Sequence, residues 1–162
     1  MSPFTKAAAL ASVLSSEFWY MHLYSQDEDF DKSHALTQQY YEELSEEADT
    51  LMELAIQEGF DVINPNAAAT ELQLSIEQQK SYSYFDIVSI AKSKLSTYLD
   101  VLRELRGSTD KTDIQSLLDS LLEHWDKEVN YRLARRTSTP SLLNGFVNSG
   151  LDNALAYLMR AR

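Results

Sequence analysis

Two histidines and two acidic residues, of types and at a spacing that suit a transition metal, stand in the first third of the chain. They are His22, His34, Asp49 and Glu53, separated by 12, 15 and 4 residues. Imidazole nitrogens and carboxylate oxygens together suit iron, and the same groups can hold zinc or manganese. The four residues are therefore predicted metal ligands, and they are the predicted catalytic residues if the metal undergoes redox chemistry.

One copy of the chain cannot complete such a site. Asp49 and Glu53 lie one turn apart on a predicted helix, so their side chains leave the same face. His34 lies on that helix too, 15 residues before Asp49. At 1.5 Å per residue the two positions are about 22 Å apart, whereas a metal–ligand bond measures about 2 Å. We therefore predict that a second copy supplies half of the ligands.

The elements that must position these residues are predicted to be long helices. Glycine (4) and proline (3) are scarce among the 162 residues, which argues against a sheet protein with many turns. Apolar residues recur at helical spacing over four stretches, about 4–24, 32–58, 80–106 and 111–136. Gly59, Gly107 and Thr139-Pro140 are expected to end the last three of these helices.

The buried faces and the connections follow from the same spacing. The second helix should bury Leu44, Ala48, Leu51 and Ala55, and the third should bury Phe85, Val88, Ala91, Leu95, Leu99 and Leu102. Between them the pattern breaks at Asn64-Pro65, which predicts a long crossover that contains a short helix. Residues 141–162 suggest a short C-terminal helix. We therefore predict an all-α fold, a single domain over residues 1–162, built as a ferritin-like four-helix bundle.

Composition excludes several classes of function. The chain has no cysteine, which rules out disulfides, zinc–thiolate sites and thiol catalysis. No run of 18 apolar residues is present, and the alanine-rich N-terminal stretch is interrupted by Glu17 and His22, so we expect a first helix rather than a signal peptide or membrane span, and a cytoplasmic protein. The formal charge of −11 makes nucleic acid an improbable partner and attracts cations.

The segment from Trp19 to Gly59 resembles the signature of the Dps-type mini-ferritins. His22 and His34 match the two histidines of that signature, and Asp49 and Glu53 match its Asp-x-x-x-Glu pair. Two further positions that are usually aromatic in the family hold Phe30 and Tyr41. The sequence departs from the family pattern where the family often has Trp, Asp and Arg, since these positions hold Leu23, Gln38 and Leu54.

This resemblance implies a ferroxidase centre between two-fold-related subunits. The implied protein oxidises Fe(II), with hydrogen peroxide as the preferred oxidant, and stores the ferric product inside a homo-oligomeric shell, a dodecamer by analogy, which protects against oxidative stress. The N-terminal arm has only Lys6, so we predict no DNA compaction. The departures leave open a ferritin-like scaffold or interaction protein that has lost ferroxidase activity, and the ligands leave open zinc or manganese.

Three weaker candidates also come from the sequence. Aromatic residues near the proposed centre could quench radicals, although packing is the simpler interpretation: Trp19, Tyr20, Tyr24 and Tyr40. The acids of the fourth helix could line an acidic pore or form a solvated face: Asp119, Glu123 and Asp126. His124 is interpreted as a histidine at the edge of the core or on the surface.

Overall fold

The structure, a computed structural model, describes residues 1–26, 28–62, 64–71 and 79–137. This part of the chain forms the helices α1 (Pro3–Leu23), α2 (Phe30–Gln57), α3 (Pro65–Glu71), α4 (Tyr84–Gly107) and α5 (Thr112–Lys127). The last of these continues as a π-helical segment, Glu128–Leu133, and then as a final helical stretch over 134–137. The predicted stop at Thr139-Pro140 and the predicted C-terminal helix lie outside the described residues.

Local sequence signals account for where the helices begin and end. The Ser2 hydroxyl accepts a hydrogen bond from the Thr5 backbone N–H at 3.0 Å and caps α1. At the start of α4, Ser83 and Asp86 form a reciprocal capping box. Just beyond the end of α2, Gly59 has φ of +79°, a backbone conformation that glycine adopts without the steric penalty of a Cβ atom.

The connection between α2 and α4 runs the length of the bundle. At one end Phe60, just after α2, stacks on Phe4 of α1 with ring centroids 5.6 Å apart. At the other end Tyr82, just before α4, donates its backbone N–H to the carbonyl oxygen of Tyr24 at 3.0 Å. The chain therefore returns to the opposite end before α4 begins, with α3 in the crossover, as predicted for a ferritin-like bundle.

One continuous core lies between α1, α2, α4 and α5. The predicted inward residues of α2 are all buried, and so are those of α4 from Val88 to Leu102. The prediction for Phe85 was wrong, because its side chain is 55% exposed. It stands in the first turn of α4, where helical spacing continues but no neighbouring helix of the described residues covers that face. None of the described helices is long and apolar enough to cross a membrane.

A buried carboxylate of this core pairs with a half-buried lysine. Glu17 of α1 is 2% exposed, and its Oε1 atom lies 3.2 Å from Nζ of Lys94 on α4. Removing a carboxylate from water is costly unless an opposite charge compensates it. This ion pair therefore links α1 to α4.

Candidate metal centre

The two predicted histidine ligands are side by side in one chain. His22 lies in the last turn of α1 and His34 in the second turn of α2. The short connection between these helices brings the imidazole rings together, with centroids 3.5 Å apart and planes inclined by 27°. The structure thus joins half of the predicted ligand set at the α1–α2 end of the bundle.

Hydrogen bonding fixes the orientation of the first imidazole. Nδ1 of His22 lies 3.1 Å from the backbone carbonyl oxygen of His34, to which it can only donate. The Thr37 hydroxyl lies 3.4 Å from the same nitrogen. This contact favours the tautomer that carries its hydrogen on Nδ1, so the lone pair on Nε2 is available to a metal. Histidine ligands in proteins are commonly oriented by such a hydrogen bond to a backbone carbonyl.

One nitrogen of the second imidazole lacks a hydrogen bond. Nδ1 of His34 is buried and has no hydrogen-bond partner among the described residues. Buried polar atoms in proteins are nearly always paired. Phe30 stacks on the His34 ring at 5.0 Å, and Tyr41 meets the His22 ring edge-on at 5.4 Å. Both imidazoles are half-buried, and each is in contact with an aromatic ring.

The two predicted acidic ligands lie elsewhere on the same helix. Asp49 and Glu53 are exposed on α2, and within the described residues neither carboxylate has an ion-pair or hydrogen-bond partner. Since α2 is unbroken from Phe30 to Gln57, the separation of His34 from Asp49 stays at about 22 Å. In the described part of the chain no three His, Asp or Glu side chains converge as a metal-binding group.

A shallow groove between α1 and α2 leads from beside the histidines toward the first acid. It extends from Tyr41, which contacts His22, to Asp49. Most of the side chains that line it are small or acidic, and the two larger ones are Trp19 and Met52. The lining residues include Ser12, Ser15, Ser16, Trp19, Ser45, Glu46 and Met52. Trp19 is 51% exposed, which is unusual for the largest apolar side chain and typical of surfaces that meet another protein.

Several solved structures share this helix arrangement. The chain superposes on the crystal structure of Helicobacter cinaedi CAIP with a TM-score of 0.78 and 19% identity, over 83% of this chain and 96% of that one. It superposes on antigen TpF1 from Treponema pallidum with a TM-score of 0.76 and 16% identity, over 83% and 88%. For a Dps protein from Bacillus brevis the TM-score is 0.72 and the identity 22%, over 82% and 91%.

The fold is that of the Dps-type mini-ferritins. This confirms the ferritin-like fold predicted from the four long helices and the crossover, and it agrees with the resemblance seen in the sequence. No family model matches the sequence, and no curated protein does. At these identities the Dps-type likeness is one of fold, and the roles of His22, His34, Asp49 and Glu53 stay predictions.

The acids of α5 that could have lined a pore are all paired with cations. Asp119 contacts Arg106 at 2.7 Å, Glu123 contacts Lys127 at 2.6 Å and Asp126 contacts Arg103 at 3.3 Å. The hydrogen bond from Arg106 lowers the pKa of Asp119, and the one from Lys127 lowers the pKa of Glu123. This surface is therefore charge-compensated, which favours the solvated-face interpretation.

The remaining histidine is at the edge of the core, as expected. His124 lies on α5 with Nε2 3.1 Å from a carboxylate oxygen of Glu43, and its ring meets Trp125 edge-on at 4.8 Å. It lies on α5 and contacts α2 through Glu43, and it does not line the groove between α1 and α2. His124 is therefore a suitable control position for experiments on the other two histidines.

The sequence analysis missed a buried polar network on the opposite side of α2. Tyr40 donates to Oε1 of Glu128 at 2.6 Å, and Tyr98 donates to Oε2 of Glu47 at 2.8 Å. The Trp125 indole N–H lies 2.9 Å from both oxygens of Glu47. One signal was present in the sequence, because Glu128 falls three residues after Trp125 and beside Val129 on an otherwise apolar face.

Burial changes the acid–base properties of this network. Burial, and then the hydrogen bond to Glu128, raises the pKa of Tyr40. Burial likewise raises the pKa of Tyr98, with a smaller contribution from the Glu47 charge. Burial also raises the pKa of Glu47, although the hydrogen bonds from Trp125 and Tyr98 oppose this shift. The phenols of both tyrosines therefore hold their protons firmly in the resting protein.

Proposed function

We propose that the chain is a mini-ferritin subunit that binds Fe(II) and oxidises it at a centre shared by two copies. The observation that carries this proposal is the stacked pair His22 and His34, with the accepting Nε2 atom of His22 left free. Asp49 and Glu53 lie farther along α2, and neither has a partner among the described residues. Each half has donors that suit iron, and neither half is a complete coordination shell.

A two-fold contact through the α1–α2 groove is the simplest way to join the halves. In such a contact the same surface is used on both copies, so one interface makes two identical centres. The histidines of each copy then face Asp49 and Glu53 of the other. The serine-rich groove lets helices approach closely, and the exposed Trp19 ring supplies apolar area for the contact.

The chemistry follows from the mixed donor set, with iron as the substrate. Neutral imidazole stabilises Fe(II), whereas the two carboxylates favour the more highly charged Fe(III), so coordination assists oxidation. By the family resemblance, hydrogen peroxide takes one electron from each of two Fe(II) ions and, with two protons, becomes two water molecules. The ferric product is then stored within a homo-oligomeric shell, which by the same resemblance is a dodecamer in the cytoplasm.

Anaerobic Fe(II) titration followed by peroxide, with ferric absorbance as the readout, tests this proposal. His22→Ala and Asp49→Ala should each slow the fast phase by more than about tenfold, since even outer-shell partners of metal ligands are worth 10–100-fold. His124→Ala should leave it unchanged. Wild-type protein without a fast phase, or equal effects of all three substitutions, would contradict the proposal. Competition by Zn²⁺ or Mn²⁺ in the same titration tests the other two metals.

The alternative is a helical scaffold that has kept the fold without the chemistry. Gln38 favours it, because its amide stands one turn after His34, where the family often has a carboxylate. It is exposed and donates to Glu42 at 2.8 Å. A protein that assembles into a shell yet oxidises Fe(II) no faster than the buffer would support this second function.

A further inference from the structure

The side of α2 that faces away from the candidate metal centre holds a buried group of aromatic rings next to a carboxylate. Tyr40 and Trp125 are both fully buried, and their ring centroids are 6.1 Å apart. Phe18 packs on the other side of Tyr40 at 5.1 Å. The two oxidisable rings are thus in contact, and the chain around them excludes water.

The phenol of Tyr40 has a dedicated proton acceptor. Its hydroxyl donates to Oε1 of Glu128 at 2.6 Å, and Glu128 is itself 1% exposed. Arg132 donates to the other oxygen, Oε2, at 2.9 Å, so the carboxylate is anchored on both sides. Glu128 begins the π-helical segment, and π turns within α-helices are frequent at functional sites.

We infer that Tyr40 is a one-electron oxidation site, with Trp125 as its neighbouring relay and Glu128 as its proton acceptor. A strong one-electron oxidant, such as a hydroxyl radical or a radical formed from it, removes one electron from the Trp125–Tyr40 pair. The phenolic proton moves to Glu128 in the same step. The products are a neutral phenoxyl radical, a neutral carboxylic acid and the reduced oxidant, hydroxide in the case of the hydroxyl radical.

The hydrogen bond explains why this site suits oxidation better than an exposed tyrosine. A phenol becomes a strong acid once it loses an electron, so its proton must leave at the moment of oxidation. Burial keeps the resting phenol protonated and leaves no water to accept the proton, but Glu128 can accept it along an existing bond. The step is reversible, because the proton can return along the same bond when an electron donor reduces the radical.

The position of Tyr40 relates this site to the candidate metal centre. Tyr41 is its neighbour in the chain and contacts the His22 ring, so the two sites lie on different faces of one stretch of α2. Under the proposed function, Fe(II) and peroxide would be one source of radical oxidants. The oxidation of Tyr40 itself does not require iron.

Flash photolysis of a ruthenium tris-bipyridyl complex with a sacrificial acceptor, followed by electron paramagnetic resonance, tests this inference without iron. The wild-type protein should show a phenoxyl radical that outlives the radicals of exposed tyrosines. Tyr40→Phe should lose this long-lived signal. Tyr131→Phe should keep it, because that ring is 56% exposed.

Glu128→Gln tests the role of Glu128 as proton acceptor without removing its hydrogen bond. The glutamine oxygen can still accept the hydrogen bond from Tyr40, but it cannot readily take the proton, so the long-lived signal should be lost although the phenol remains. Circular dichroism and thermal unfolding establish that each variant is folded. Persistence of the signal in Tyr40→Phe, its loss in Tyr131→Phe, or no long-lived signal in the wild type would overturn the inference. Failure of ferroxidase activity would leave these results unaffected.

Discussion

A mixture of two inactive variants should recover activity if the metal centre is shared between copies. His22→Ala removes a ligand from one half of the centre, and Asp49→Ala removes one from the other half. In a mixed dimer one of the two centres then carries both substitutions, and the other is assembled from two intact halves. The length of α2 requires this arrangement, because His34 and Asp49 are about 22 Å apart on one straight helix.

The size of the recovery follows from symmetry. When the two variants are co-expressed in equal amounts and pair at random, half of the dimers are mixed and each has one intact centre of two. The initial rate of ferric absorbance should therefore return to about a quarter of the wild-type rate per subunit. Each variant alone should remain near the rate of the buffer.

A matched pair of variants provides the control. His22→Ala mixed with His34→Ala places both substitutions in the same half of the centre, so no intact centre can form in any dimer. Native mass spectrometry shows that mixed oligomers are present in both preparations. Equal recovery in the two mixtures, or none in the first although mixed oligomers are present, would refute the shared centre.

Three further predictions concern stability and binding. Lys94→Ala should lower the free energy of unfolding by about 3 kcal/mol, because it leaves the buried Glu17 carboxylate without its cation; replacing both residues by Met should restore most of it in urea unfolding. Burial raises the folded-state pKa of Glu47 above its unfolded value, so the stability of the wild type relative to Glu47→Gln should increase as pH falls through that raised pKa; a difference independent of pH would contradict this. With a formal charge of −11, the protein should give no electrophoretic shift of plain duplex DNA at about 0.15 M salt without magnesium.

The sequence predicted the helices because their signals are local. Apolar residues at helical spacing identified the buried face of α2, and Gly59 marked its end within two residues. Helical spacing cannot tell where a neighbouring helix stops covering a face, which is why Phe85 was wrongly placed in the core. It also did not predict the π-helical segment, whose first residue, Glu128, accepts a hydrogen bond from Tyr40, 88 residues away.

The sequence predicted the ligands of the candidate centre, but not how the two halves of the centre meet. Ligand types and spacing identified His22 and His34, and the structure brings these two together. The position of Asp49 relative to the histidines of another copy depends on an interface that one chain does not contain. The buried carboxylate Glu128 was not predicted, because a glutamate on a helix is usually solvated and its burial depends on partners from other helices.

All four candidate ligands lie in one helical hairpin, α1 and α2, whose connection spans only residues 24–29. Short connections close at little entropic cost, so contacts such as that between His22 and His34 belong to the fastest class of folding events. The contact of Tyr82 with Tyr24, by contrast, must wait for the whole crossover. We therefore expect each half-centre to form before the crossover is complete, and the later helices to pack against it afterwards.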